Sequence, residues 1–336
     1  MSLLEIRDLH LGLHTGAGVV HALRGVDLAV ASGEVVAVVG ESGCGKTVTM
    51  QTVMGLLPAD EIAYRRGQVR FEGRDLLGLS ERDWRRVRGA EISMVFQDPL
   101  TTLNPTRTVE SQVVEAVQAH GAVAASRARR RTRELLAQVG IPAPEFVARR
   151  YPFQLSGGMR QRILIAAALA GNPRLLIADE PTTALDVTIQ AQILALLQSL
   201  RRRYEMAIVL VTHNLGVVAE MADRVAVMYA GRVVEEGPAH QILSSPAHPY
   251  TQGLLEGIPR LDRTREEKLL PIRGAPPILL TEPAGCAFMD RCTHAMGICA
   301  AFSPPMFPAA PAQRSACFLH HPAAAAGSQR TAQPAE

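Results

Sequence analysis

Short runs of apolar and β-branched residues, separated by turn residues, mark the start of the chain. The runs cover residues 4–6, 19–23, 26–30 and 35–39. Runs of this length between glycine-containing turns are typical of β-strands. We therefore predict a small, mostly antiparallel sheet that leads into a strand at 35–39, with a further strand at 68–73.

A helical pattern replaces the β pattern between residue 100 and about 152. Apolar positions recur at helical spacing over 109–120 and 127–139, as in helices that bury one face. Together with the helix that follows it, this segment predicts a helical insertion over about 98–170.

Buried strands alternate with helices in the rest of the first 215 residues. Strands are predicted at 92–96, 175–179 and 207–211, and helices at 48–54, 81–87, 160–170 and 189–202. Strands that alternate with helices indicate a parallel sheet covered on both faces. The predicted fold class is therefore α/β with a parallel core sheet.

Composition and charge narrow the class of protein. The chain has 336 residues, enough for roughly two domains with their own cores. Its net charge is +3, and arginine clusters such as 127–131 are typical of solvated helix faces, so we expect no nucleic-acid partner. No apolar stretch reaches the roughly 18 residues of a membrane span, and no signal peptide is recognisable. We expect a cytosolic protein.

A glycine-rich stretch joins the strand predicted at 35–39 to the helix predicted at 48–54. It reads Gly40, Glu41, Ser42, Gly43, Cys44, Gly45, Lys46 and Thr47, with Val48 next. This order of strand, glycine turn and helix N-terminus is typical of a phosphate-binding loop, whose backbone N–H groups converge on phosphate oxygens. Lys46 would reach the β- and γ-phosphates, and Thr47 would offer its hydroxyl to Mg²⁺. The predicted ligand is a magnesium nucleotide.

Two carboxylates lie at the end of the strand predicted at 175–179. Asp179 can place its carboxylate beside the ligand shell of Mg²⁺, and Glu180 can orient and deprotonate an attacking water. We predict Asp179 as the acid on the metal side and Glu180 as the general base. Capping of the following turn is the other interpretation of Glu180.

The residues after the insertion resemble the signature sequence of ATP-binding cassette ATPases. They read Leu155, Ser156, Gly157, Gly158 and Met159, and Ser156, Gly157 and Gly158 are called the signature loop below. Five motifs occur in the order of that superfamily, over residues 1 to about 240. The resemblance implies a P-loop ATP-binding cassette with an N-terminal antiparallel β subdomain and an enzyme that hydrolyses ATP to ADP and phosphate.

The resemblance also implies roles for residues outside the phosphate loop. Gln97 would contact Mg²⁺ or water and register a membrane partner, and His213 would contact the γ-phosphate. The signature loop would bind the ATP of an opposing cassette, so that two cassettes clamp ATP head to tail, and Asp186 would contact that partner. The implied catalytic set is Glu180, His213, Gln97 and Lys46, and the implied Mg²⁺ ligands are Thr47, Gln97 and Asp179.

The chain departs from the family pattern where the nucleotide base binds. Val20 occupies the position of an aromatic residue that stacks on adenine in the family. Val20 cannot stack, so His21 and His14 are the expected substitutes. Asn214 stands where Asp commonly follows the histidine, and Met159 replaces the commoner Gln of the signature.

Residues beyond 240 extend the resemblance. Residues 245–255 and the proline-rich passage after them resemble the C-terminal extension of oligopeptide and dipeptide importer ATPases, a group that includes nickel, glutathione and opine importers. We expect an ATP-binding cassette domain over 1–240, a small C-terminal extension over 241–321 and a disordered tail over 322–336.

This resemblance implies a subunit that hydrolyses ATP to energise a multi-subunit membrane importer of dipeptides, oligopeptides or a related small solute. The implied partners are two permease subunits, a second cassette ATPase and, through the permeases, an extracytoplasmic solute-binding protein. The second ATPase is expected to be non-identical, a second copy being the alternative. The expected location is the cytoplasmic face of the bacterial inner membrane, as a peripheral protein.

Four cysteines lie close together in the extension: Cys286, Cys292, Cys299 and Cys317. We expect no disulfides, because the cytosol keeps thiols reduced. Four thiolates can hold a four-iron four-sulfur cluster, which is our first expectation, or Zn²⁺. Unligated buried cysteines are the third interpretation.

Two other functions are compatible with parts of the sequence. The first is a soluble cassette ATPase that acts on DNA or the ribosome, although such proteins resemble paired cassettes or cassettes split by coiled coils, and no heptad run occurs here. The second is an ATPase switch that senses redox state through the cysteines of the extension.

Overall fold

The computed structural model describes residues 2–121, 123–183, 185–257 and 272–323. The tail expected to be disordered thus lies almost wholly outside the described residues. Ala184, in the motif that follows Glu180, also lies outside them.

The described residues form an N-terminal sheet, a core sheet and helices on both sides of the core sheet. The strands are β1 (Ser2–Thr15), β2 (Gly18–Ala31), β3 (Val35–Val39), β4 (Ile62–Phe71), β5 (Arg74–Asp75), β6 (Ile92–Val95), β7 (Leu175–Asp179), β8 (Ala207–Thr212), β9 (Arg224–Tyr229), β10 (Arg232–Pro238), β11 (Phe307–Ala310) and β12 (Gln313–Ser315). The helices are α1 (Lys46–Val53), α2 (Glu81–Val87), α3 (Pro99–Thr102), α4 (Val109–Gln118), α5 (Ala125–Gln138), α6 (Pro144–Val147), α7 (Gly157–Ala168), α8 (Val187–Tyr204), α9 (Leu215–Met221), α10 (Ala239–Ser244), α11 (Pro249–Glu256) and α12 (Gly297–Ala301).

The N-terminal sheet is antiparallel, as predicted, and has the strand order β2-β1-β4-β5. The short apolar runs of the sequence merge into two long strands, because β-bulges carry the chain across the breaks in the pattern. One break lies at Asp8, whose φ of 45° is left-handed. The interruptions in the hydrophobic pattern therefore mark bulges within strands as well as ends of strands.

The core sheet has the order β11-β12-β10-β9-β3-β8-β7-β6. The five strands from β9 to β6 are parallel, which confirms the predicted parallel sheet. Side chains of each strand alternate between the two faces. In β8, Val209 and Val211 pack towards the N-terminal sheet, whereas Ile208 and Leu210 pack against the helices of the insertion.

The helical insertion is present, and two of its helices, α4 and α7, begin at capping side chains. Thr108 accepts a hydrogen bond from the backbone of Ser111 and starts α4, while Ser156 caps α7 at its first turn. Helix α7 therefore begins at Gly157, three residues before the predicted start at 160. Across the described parts of the chain, none of the helices combines the length and the apolar character needed to cross a bilayer.

Three further strands extend the parallel part of the core sheet and make the whole sheet mixed. Strand β10 pairs antiparallel with β9, β12 with β10, and β11 with β12. Strands β11 and β12 come from the extension. They have only four and three residues, β11 contains Pro308 and β12 is polar, so neither gives a strand pattern in the sequence. The extension thus continues the core sheet beyond β10.

Glu235 ties the extension to the core sheet. Its side chain is fully buried in β10. One carboxylate oxygen accepts hydrogen bonds from the backbone N–H of Ala247 (2.7 Å) and from Nε2 of Gln313 (2.7 Å). The other accepts from the backbone N–H of His248 (3.0 Å). A single carboxylate therefore joins β10, the entry to α11 and β12.

We expect Glu235→Ala to lower the free energy of unfolding by about 3 kcal/mol, because the backbone N–H groups of Ala247 and His248 and one N–H of Gln313 then lose their acceptor. Urea denaturation followed by circular dichroism measures the change. The matched control is Glu236→Ala, which removes only a partly exposed pair with Arg314 and should cost less than about 1 kcal/mol. Equal losses in the two variants would contradict this account.

Candidate active site

The phosphate-binding loop lies between β3 and α1, as the sequence predicts. Gly40 has a φ of 150°, and a Cβ atom there would collide with the backbone oxygen of Met228. Gly45 has a φ of 104° and directly precedes the first residue of α1. Any residue with a Cβ atom would be strained in both conformations. The two glycines therefore let the loop turn tightly onto the helix N-terminus.

Lys46 is buried and folds back over the loop. Its Nζ atom donates to the backbone oxygens of Gly40 (2.8 Å) and Glu41 (2.9 Å). It also lies 3.8 Å from the sulfur of Cys44. Burial raises the pKa of the Cys44 thiol, and the nearby ammonium only partly offsets this. Cys44 thus serves as a small neutral residue of the loop beside the Lys46 ammonium.

Asp179 and Thr47 form the part of the site that fits Mg²⁺. The Thr47 hydroxyl donates to a carboxylate oxygen of Asp179 at 3.2 Å. Burial raises the pKa of Asp179, and the bond from Thr47 opposes that rise. A hydroxyl and a carboxylate are the oxygen ligands that Mg²⁺ takes from proteins when phosphates and water complete its shell. The donor set therefore suits Mg²⁺ bound with a nucleotide.

Glu180 is held by side chains from three strand ends. One carboxylate oxygen accepts from Gln97 Nε2 (2.9 Å) and from the hydroxyl of Thr183 (2.8 Å). The other lies 3.0 Å from His213 Nδ1. Burial by itself would raise the pKa of Glu180, but the hydrogen bonds from His213 and Thr183 outweigh it and lower that pKa. The ionised carboxylate, the form a general base needs, is therefore favoured at neutral pH.

A cavity of about 330 Å³ begins at the phosphate loop. The predicted site residues that line it are Ser42, Gly43, Gly45, Lys46, Thr47, Val48, Gln97 and Glu180. Val20 and His21 also line it, whereas His14 lies on the exposed hairpin outside this lining. Residues 277–279 of the extension also line the cavity, a feature that the sequence did not reveal.

The signature loop and Asp186 lie outside this cavity. Ser156 accepts from the backbone N–H of Met159 at 3.4 Å and Asp186 from that of Ile189 at 2.9 Å, so both side chains cap their own helices. A Cβ atom on Gly158 would collide with Ile189, which shows that the signature loop packs on the start of α8. One chain thus brings the phosphate loop, Asp179, Glu180, Gln97 and His213 together, but not the signature loop.

The predicted iron–sulfur or zinc site has no support. Among the residues that the structure describes, no group of three or more His, Cys, Asp or Glu side chains is placed to hold a metal ion. Burial raises the pKa of Cys286 and Cys292, and it raises that of Cys317 to about 11. Protonated thiols are poor metal ligands, since metals bind the thiolate. In this structure the burial of the extension thus favours the protonated form of these three thiols.

The extension also contacts the phosphate loop directly. The guanidinium of Arg291 makes a two-point ion pair with the carboxylate of Glu41, with distances of 2.6 and 2.9 Å. The backbone N–H of Glu41 donates to the hydroxyl of Tyr250 at 2.8 Å. The Arg291 side chain is only 6% exposed, so the pair is shielded from solvent. No local motif signals this contact, because its partners lie far apart in the sequence.

Family models match both parts of the chain. The model of ABC transporter covers residues 23–183, and that of the oligopeptide/dipeptide transporter C-terminal region covers residues 234–299. The chain is 50% identical over 320 residues to the oligopeptide transport ATP-binding protein OppD of Bacillus subtilis, covering 95% of this chain and 89% of that protein. It is 51% identical over 296 residues to the dipeptide transport ATP-binding protein DppD of the same organism, covering 88% of each.

Solved structures agree with these matches. A dimeric structure of a post-hydrolysis state of an ATP-binding cassette, bound to ADP and phosphate, superposes with a TM-score of 0.63. It is 29% identical in sequence and covers 70% of this chain and 98% of the solved chain. The part of the chain that corresponds to a cassette therefore has the cassette fold.

We expect Arg291→Met to weaken binding of MgATP about fivefold to tenfold, a loss of about 1 kcal/mol, because a charge-assisted two-point bond then no longer fixes the phosphate loop. Calorimetric titration of the full chain measures the change. Arg291→Lys keeps the charge without the two-point geometry and should recover only part of the affinity. Arg314→Met, which removes an arginine from a surface pair, is the control, and an effect of the same size there would refute the contact's role.

Proposed function

The chain belongs to the ATP-binding subunits of oligopeptide and dipeptide ABC transporters, and on that premise we propose how its residues work. As a member of this family it is an ATPase that energises peptide import. Membrane permeases and a substrate-binding protein are therefore its partners. The similarity to transport ATPases extends over nearly the whole chain, and no match favours a soluble cassette ATPase or a redox switch.

Thr47, Asp179 and Gln97 would hold Mg²⁺ beside the phosphates. The bound ion would neutralise charge on the β- and γ-phosphate oxygens during transfer to water. Lys46 would bind these phosphate oxygens from the loop. Its Nζ atom lies at the loop, where it donates to the backbone oxygens of Gly40 and Glu41. These residues position the phosphates and stabilise charge in the transition state.

Glu180 acts as the general base, and its network carries the proposal. Three side chains hold the carboxylate in place, and the hydrogen bonds from His213 and Thr183 lower its pKa and so favour the ionised form. The carboxylate would accept the proton of the attacking water, while His213 contacts the γ-phosphate. Gln97 touches Glu180 and sits where the core meets the insertion, so it would also sense the permease.

The site is completed by a second cassette. The signature loop lies away from the phosphate loop of its own chain, so it would bind the ATP held by an opposing cassette, with Asp186 contacting the partner. The dimeric form of the solved cassette supports this arrangement. We propose a non-identical second ATPase, two permease subunits and a location on the cytoplasmic face of the bacterial inner membrane. The cassette would span 1–240 and the extension 241–321.

We expect Glu180→Gln to lower the kcat of ATP hydrolysis about a hundredfold or more, as loss of a general base does, with MgATP binding retained. The assay uses the ATPase with its permeases in proteoliposomes and a peptide-loaded binding protein, and it measures phosphate release and peptide uptake together. Glu220→Gln, on the exposed side of α9, is the matched control.

Two outcomes would overturn the proposal. A Glu180→Gln variant that hydrolyses ATP at the rate of the control would remove Glu180 from catalysis. A wild-type complex whose ATP hydrolysis neither responds to peptide nor drives peptide uptake would remove the coupling to import.

A further inference from the structure

The nucleotide cavity is lined in part by residues outside the phosphate loop. They include Val20 and His21 of β2 and residues 277–279 of the extension, and residues 277–279 are called the wall segment below. Phosphates bound at the loop would leave the ribose and base of the nucleotide to extend along the cavity. The base would then reach the wall segment.

The wall segment is fixed to the N-terminal sheet by hydrogen bonds. The backbone N–H of His21 donates to the backbone oxygen of Leu279 at 2.8 Å. The His21 ring lies 2.5 Å from the hydroxyl of Tyr64 and 3.5 Å from a carboxylate oxygen of Glu282. These contacts hold the imidazole between the sheet and the extension. His21 thus supports the wall and is not free to swing out as a stacking surface.

Ile278 supplies an apolar surface to this part of the lining. Its side chain is 79% exposed although it lines the cavity. Val20, the aliphatic side chain that β2 adds to the same lining, is too small to cover a purine face. An exposed isoleucine beside a phosphate site offers the contact area that a flat base can bury.

We propose that Ile278, supported by Pro277 and Leu279, is the surface on which the base of the bound nucleotide packs. The C-terminal extension then forms part of the nucleotide site and contributes to base recognition, which the N-terminal sheet of this chain does not supply alone. The proposal rests on the nucleotide site described above.

The experiment compares MgADP with magnesium pyrophosphate as probes of the full chain, because the two share the phosphates and differ in the base and ribose. Calorimetry gives the dissociation constants for the wild type, Ile278→Asp, Ile278→Trp and Leu280→Asp. Leu280 is the matched control. It is also an exposed aliphatic side chain, at 46% exposure, but it lies outside the cavity lining.

We expect Ile278→Asp to weaken the binding of MgADP about fivefold to tenfold, because the packing of the base is lost. The dissociation constant of pyrophosphate should stay within about twofold of the wild-type value. Ile278→Trp should tighten MgADP at least about threefold by offering an aromatic face. Leu280→Asp should leave the affinity for both probes unchanged. Thermal unfolding midpoints of the variants should match the wild type, since both positions are exposed.

Unchanged MgADP affinity in both Ile278 variants would overturn the proposal, as would an equal loss for the two probes or an equal loss in Leu280→Asp. Failure of the proposed function looks different. In that case the wild-type chain itself would bind neither MgADP nor pyrophosphate.

Discussion

The parallel pairing of β6, β7, β8 and β3 is the constraint on which the site depends. Carboxyl ends of parallel strands meet at one edge of a sheet, and ligands bind there. Gly40 follows β3, Glu180 follows β7, His213 follows β8 and Gln97 follows β6. Residues that are far apart in the sequence therefore reach one carboxylate within hydrogen-bond distance. If the register of one of these strands shifted by a residue, the functional side chain that follows the strand would move away from the network around Glu180.

Much of the fold and of the nucleotide site could be predicted from local sequence. The strand before the phosphate loop is an uninterrupted apolar run, and buried parallel strands have that pattern. One short loop contains Gly40, Gly45, Lys46 and Thr47, so their spacing in the sequence is enough to predict their arrangement. Asp179 and Glu180 could be predicted in the same way, because they are adjacent in the sequence at the end of β7. The roles of these residues in catalysis stay predictions, whereas their proximity is observed.

The remaining features depend on contacts between distant segments. Arg291 and Glu41 are 250 residues apart, and nothing around either residue indicates the other. Thr183 stands in the motif after Glu180, so its hydrogen bond could have been suspected. The four cysteines of the extension are close in sequence, which suggested a ligand set, but no metal-binding group occurs among the described residues.

The pairing of β12 with β10, and of β11 with β12, has a consequence for solubility. A sheet edge with unpaired N–H and C=O groups is a template for pairing with other chains. Here the sheet ends in two short strands, and the outermost contains Pro308, which cannot donate a backbone hydrogen bond. The opposite edge, β6, has only four residues. A cassette cut away at residue 240 would expose the longer strand β10, and self-association through that edge would follow from the loss of its cover.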